Sequence, residues 1–224
     1  MNYIAITIAV LFILGFLLYQ MTKSHLLTAL SKQMQDHNYD EVLRLSDKPM
    51  YHKILGDYVC ELYLLRALLN KGEEDQFKEQ LDEALHTSFS LEQIKEMLDI
   101  YYYHFLFNGD FEWAEKLLER IRETNDMPYI TYNQEAFEVM ANKRCDLLED
   151  MIDKLDNKGY SGLGLGIAVF MIGMQYLYLG DKDNARTYFY NSLSCFNAKS
   201  FYAAQAQSYV DRLTEELDAD ELDY

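Results

Sequence analysis

Apolar positions follow two patterns along this chain. The first is unbroken. The run "YIAITIAVLFILGFLLY" (3–19) is almost wholly apolar, Met21 extends it, and no charged side chain occurs before Lys23. At 1.5 Å per residue such a helix matches the roughly 30 Å hydrocarbon core of a bilayer. Tyr3 and Tyr19 stand where interfacial aromatics belong. A cleaved signal peptide is the rival reading. It would need a basic start and a small-residue cleavage site, and neither is present. We therefore expect a transmembrane anchor over 1–22, touching the bilayer through 3–21.

The second pattern recurs every three to four residues, as in amphipathic helices. In "FEWAEKLLERIRE" (111–123), Phe111, Ala114, Leu117, Leu118 and Ile121 form one stripe and charges cover the rest. Strand-like alternation is scarce, so the expected fold class is all-α. The segments also repeat. "YYYHFLFNGDFEWAEKLLERI" (101–121) superposes on "IGMQYLYLGDKDNARTYFYNSL" (172–193), with Gly-Asp turns at Gly109 and Gly180. Ala114 and Ala185 follow five residues later, then Leu118 and Phe189 four after that. "LLRALLNKGEEDQFKEQLDEAL" (64–85) matches through Leu64, Leu68, Gly72, Leu81 and Ala84. A fourth unit, 136–155, has Lys143 in place of the turn glycine, and a degenerate first unit spans 26–46 with Tyr39 and Val42 in register. Turn positions 72, 109, 143 and 180 lie 37, 34 and 37 residues apart.

These units resemble the tetratricopeptide repeat, a helix–turn–helix module of about 34 residues. The resemblance implies an α-solenoid of four to five hairpins over 23–217. The segment 200–217 then serves as a capping helix, with Phe201, Ala204, Ser208 and Leu213 inward, and 218–224 as an acidic tail. It also implies a concave groove lined by the first helix of each unit. Carried over, its positions are Leu62, Arg66 and Leu69, then Tyr103 and Leu106 beside Asp99. Next come Phe137 and Met140 beside Asn133, and finally Phe170, Met174 and Leu177. The family's clamp for acidic C-terminal peptides uses Lys, Asn and Arg at such places. Only Arg66 and Asn133 have that polarity, so an apolar peptide or amphipathic helix is the expected guest. The alternative is that the apolar positions pack within the repeats or under the terminal helix.

Composition narrows the function. The formal net charge of −17 repels phosphate backbones, so no nucleic-acid partner is expected. Cys60, Cys145 and Cys195 show neither CxxC spacing nor a disulfide framework. Lys23 and Lys32 follow the span and nothing basic precedes it, which places the repeat domain in the cytoplasm. The glycine run "KGYSGLGLGIAVF" (158–170) gives only G-x-G-x-G, after a helical segment and without a Lys-Ser or Lys-Thr, so no phosphate loop is expected. The charge-free stretch 159–180 reads as a buried helix starting near Ser161–Gly164 and closely approached at Gly166 and Gly173. A second membrane span is its rival. The five histidines make no HxxxH or HExxH, so no metal site, cofactor or catalytic constellation is expected. The reading is a membrane-anchored adaptor or scaffold for a protein or peptide. The alternatives are a structural subunit of a membrane complex and a peptide-sensing regulator.

Overall fold

The computed structural model describes residues 3–222. Met1, Asn2, Asp223 and Tyr224, which belong to the expected anchor and tail, lie outside the described residues. Among the described residues the chain forms twelve α-helices and no strand. They fall into two compact units, the first ending at Met97 and the second beginning at Leu98.

Unit 1 opens with α1 (Tyr3–Gln35), followed by α2 (Tyr39–Ser46), α3 (Pro49–Leu55), α4 (Asp57–Lys71), α5 (Glu74–His86) and the start of α6 (Leu91–Asn108). One unbroken helix thus contains both the apolar run and the first helix of the first hairpin. The composition changes at Lys23, but the backbone does not. Every side chain from Thr7 to Thr22 is exposed, including Leu11 at 62%, Phe12 at 76% and Met21 at 69%. No protein covers this segment, and α1 is the one described helix long and apolar enough to cross a membrane. Further along, Leu26 and Leu30 are buried. With Val42 and Leu45 of α2, Tyr51 and Leu55 of α3 and Cys60 and Ala67 of α4, they form the core of this unit.

Unit 2 contains the rest of α6, then α7 (Phe111–Glu123), α8 (Met127–Asn142), α9 (Leu148–Asp156), α10 (Gly162–Tyr178), α11 (Lys182–Leu193) and α12 (Phe201–Leu222). Helix α10 is packed by α8, α9 and α11, and every residue from Gly166 to Gln175 is buried. Protein neighbours cover the centre of this charge-free stretch, as the buried-helix reading expects, while Leu179 near its end is exposed. Gly173 faces Phe189 of α11, and Gly166 faces Phe196 just after α11. Gly162 has φ +55 and no neighbour within 4 Å of a Cβ, so it serves the backbone rather than a close approach.

The hairpin turns are alike. His37, Gly72, Gly109 and Gly180 all have positive φ. In each case the next N–H donates to the carbonyl five residues back, as Asp110 does to Phe105 and Asp181 to Tyr176, both at 3.0 Å. This closure satisfies carbonyls left open by the first helix. A glycine adopts the left-handed conformation without the Cβ clash that other residues meet, which is why Gly109 and Gly180 mark their turns so plainly. His37 and Lys143 (φ 56 and 51) take it without that freedom. Asp110 and Asp181 then accept from the N–H three residues on, at 3.2 and 3.1 Å, and start the second helix. Five residues after the turn, Val42, Phe77, Ala114 and Ala185 are all 0% exposed. Nine after it, Ser46, Leu81, Leu118 and Phe189 are at most 1% exposed. The hairpin with Lys143 departs from this, since Leu148 is only half-buried.

Helix α12 corrects one expectation. Its inward stripe is Tyr202, Ala203, Ala206, Tyr209 and Leu213, whereas Phe201, Ala204 and Ser208 are exposed. Leu213 belongs to both stripes. Two tyrosines bury far more surface than Ala204 and Ser208 would, so the stripe rotates by about one residue. The helix also runs on to Leu222, so the backbone of 218–222 is helical.

Candidate functional site

The structure places the ten expected groove residues mostly in the core. Leu62, Tyr103, Leu106, Phe137, Met140, Phe170 and Met174 are buried, Leu69 and Leu177 are half-buried, and only Arg66 is exposed. The expected open groove is corrected at these seven positions. At Phe170 and Tyr103 a cause is α12. The Phe170 ring lies 4.9 Å from Phe189, 5.1 Å from Phe107 and 5.6 Å from Tyr209 of α12. Tyr103 packs 5.4 Å from Tyr202 of the same helix. Aromatic residues bury large areas, and the terminal helix supplies the partners that a peptide guest would have supplied.

Polar groups enclosed in unit 2 are braced to one another. Asn133, 0% exposed, accepts from the Tyr103 hydroxyl and donates to the Tyr129 carbonyl, at 2.7 and 2.8 Å. Its own carbonyl accepts from Tyr102 at 2.7 Å. Tyr202 donates to the carbonyl of Asp99. Burial holds the hydroxyls of Tyr102, Tyr103, Tyr129 and Tyr202 far above the usual phenol range, so they act as neutral donors. The carboxylate of Glu135 accepts from Lys154 and Tyr160, both at 2.7 Å. That pair of bonds fixes α9 and the start of the glycine run to α8. Ser161 precedes α10 in extended conformation, but its side chain makes no capping bond. These networks hold helices together, and their protons are spoken for.

Unit 1 contains a cleft of about 490 Å³ with a different character. Its floor is Leu43 of α2 with Leu64 and Leu68 of α4, and one wall is the face of α5 carrying Gln76, Glu79, Gln80 and Glu83. Those four recur at i, i+3, i+4 and i+7, which sets them on one side of the helix. Gln80 donates to Glu61 at 2.8 Å, drawing a third acid to the rim. Burial raises the carboxyl of Glu61 above its ordinary range, and the charge of Glu83 adds to the effect. Among the described residues Glu79 and Glu83 make no ion pair. An apolar floor beside unneutralised acids suits side chains that are apolar and cationic.

Reading the sequence for repeat positions missed this cleft. Leu64 and Leu68 read as pattern residues, and Glu79 and Glu83 carry no repeat position. The signal was available in the amide-and-acid stripe, which contains no lysine. Chemistry elsewhere is sparse. Among the described residues no group of three His, Cys, Asp or Glu side chains could hold a metal. The Cys60 thiol is pushed up to about 11 by burial, with Asp57 and Glu61 adding to it, so it is not a nucleophile at neutral pH. Beside Asp36, His37 bonds Tyr39 at 2.7 Å and Asp40 pairs with Lys71 at 2.8 Å.

The class defined by these features is an all-α protein with one helix long and apolar enough to cross a membrane. Compared with known protein families, characterised proteins and solved structures, the chain gives no match.

Proposed function

We propose that this chain is a membrane-anchored adaptor built from tandem helical hairpins of the tetratricopeptide kind, holding a protein or peptide partner at the cytoplasmic face. The repeat reading is supported by positive-φ turn residues at 37, 72, 109, 143 and 180, spaced 35, 37, 34 and 37. Identical burial five and nine residues beyond four of those turns supports it further. The observation that carries the functional reading is the cleft of Leu43, Leu64 and Leu68 under Glu79 and Glu83. It lies in the same unit as the exposed apolar helix. Anchoring raises the local concentration of whatever the cleft holds. The work is binding, without a cofactor or a catalytic step.

A photo-crosslinking residue at Leu64 or Glu79 of the full chain, irradiated in native membranes, tests this. A discrete adduct at both positions and none at exposed Tyr190 of α11 is expected. Equal, diffuse labelling at all three would overturn the proposal.

A second reading, a structural subunit of a membrane complex, has its own observation. Leu11, Phe12, Gly15, Phe16 and Tyr19 line a notch of about 470 Å³ on α1, where a Cβ at Gly15 would meet nothing. A neighbouring helix could fill such a notch. A stoichiometric partner that survives detergent and is lost with Gly15→Leu would favour this reading.

A further inference from the structure

We infer that the corner between α3 and α4 sits in the headgroup layer of the bilayer crossed by α1, with Lys23 and Lys53 facing lipid phosphate. This rests on the reading of α1 as the anchor. Three observations carry it.

Helix α1 has no hinge. Its exposed apolar stretch ends at Met21, and Leu26 is already in the core of unit 1. Five residues of helix span about 7.5 Å, about the thickness of one headgroup layer. Unit 1 therefore begins at the membrane surface rather than on a tether.

A hydrogen bond fixes which part of the unit is lowest. The Tyr19 hydroxyl donates to the carbonyl of Ile54 at 3.0 Å. That carbonyl is among the last four of α3, which lack partners within the helix. Tyrosine side chains on a helix lean toward its N-terminus, here toward the bilayer. Ile54 is thus held at the depth of an interfacial tyrosine, and Lys53, Gly56 and Asp57 beside it are exposed.

The charge at this corner opposes that of the chain. From Lys48 to Gly56 there is no acidic residue, in a chain of net charge −17. Lys23 lies one turn beyond Tyr19 on the same face of α1. Neither Lys23 nor Lys53 makes an ion pair among the described residues. Asp47 and Asp57 flank this stretch, and Asp57 shares a hydrogen bond of 2.8 Å with His52. Lysines at this depth gain from the negative surface potential of a cytoplasmic leaflet.

The test uses the full chain in vesicles whose lipids carry a nitroxide on the headgroup. Cys145 and Cys195 are replaced by serine, and an environment-sensitive fluorophore is placed at Lys53→Cys, Met21→Cys or Glu79→Cys. The inference expects emission at 53 to be lost to a similar extent as at 21, with none lost at 79. Quenching at 21 without quenching at 53 overturns the inference and leaves the anchor standing. No quenching at either position overturns both. Equal quenching at 53 and 79 also overturns it, since the depth would then not be specific to this corner.

Discussion

Replacing Gly173 by alanine opposes two effects of known size. A Cβ there would lie 3.0 Å from Cδ1 and Cε1 of Phe189 and 3.3 Å from the carbonyl oxygen of Ala185. At Gly166 the nearest atom, Cε1 of Phe196, would be 2.4 Å away, and at Gly164, Cδ1 of Tyr132 would be 2.7 Å away. Ranked by distance, Gly173 is the mildest site. Ranked by what can move, it is the worst. Phe189 is 0% exposed and held between Phe170 and Tyr209, with ring centroids 4.9 and 4.7 Å away. The other neighbour is the backbone of α11. Phe196 and Tyr132 are half-buried rings that can swing outward. Alanine gains about 1 kcal/mol over glycine inside a helix. Overpacking a tight core costs about 1–3 kcal/mol. For Gly173→Ala the second effect wins, with a net loss of about 1–2 kcal/mol. For Gly166→Ala the ring yields and the terms nearly cancel, although the stacking of Phe196 on Tyr202 (5.3 Å) is disturbed. Thermal unfolding of the full chain in detergent, followed by the near-ultraviolet dichroism of its tyrosines, reads the difference. In a chain of this size the loss lowers Tm by about 2–8 °C. If Gly173→Ala is as stable as the parent and Gly166→Ala is the damaged variant, the reasoning from ring mobility is wrong.

Three further outcomes are expected. Asn133→Ala strands the buried Tyr103 hydroxyl and should cost about 2–4 kcal/mol; adding Tyr103→Phe should recover part of it in a double-mutant cycle of urea unfolding. Asp181→Ala should lower Tm at neutral pH. The bond from Asn184 holds the Asp181 carboxyl below its ordinary 3.8, so its stabilisation is present above 3.8 and is lost as pH falls through the lower folded value; parent and variant should converge in acid. Glu61→Gln should have the opposite sign. Burial raises the folded pKa above 4.5, so stability is lost as pH rises from 4.5 through that raised value; the variant should melt higher at neutral pH and lose its advantage below about pH 4.

Much of this fold was legible where the backbone leaves a mark in residue type. Gly72, Gly109 and Gly180 announce their turns because the left-handed conformation favours glycine. Lys143 was found by counting, and spacing alone marked it as a turn. His37 is legible only as part of a polar stretch between helices, Asp36 to Asp40, because a histidine in the left-handed conformation carries no mark of its own as glycine does. The helix after the glycine run was expected near Ser161–Gly164 and starts at Gly162. The candidate site was less legible. Whether Phe170 or Tyr103 lines a groove or a core depends on where α12 lies, and short-range periodicity carries no information about that. The stripe of α12 slipped for a related reason: Leu213 fits two faces, and only the packing partners choose between them. The cleft of unit 1 depends on Leu43, Leu64 and Glu79, which are far apart in the chain and meet only after folding.

With α1 as the proposed anchor, its unbroken course would make the bilayer a mechanical input. With 33 residues it is a rod about 50 Å long. An apolar helix longer than the hydrocarbon core is thick accommodates the difference by tilting, more so as the membrane thins. Because Leu26 and Leu30 are welded into unit 1 with no joint between, any tilt of the lower half is the same tilt of the upper half. Rotation of α1 about its own axis would likewise swing Glu79 and Glu83 around the membrane normal. On that proposal, the direction in which the cleft faces its surroundings would be set by membrane thickness and composition as much as by the chain itself.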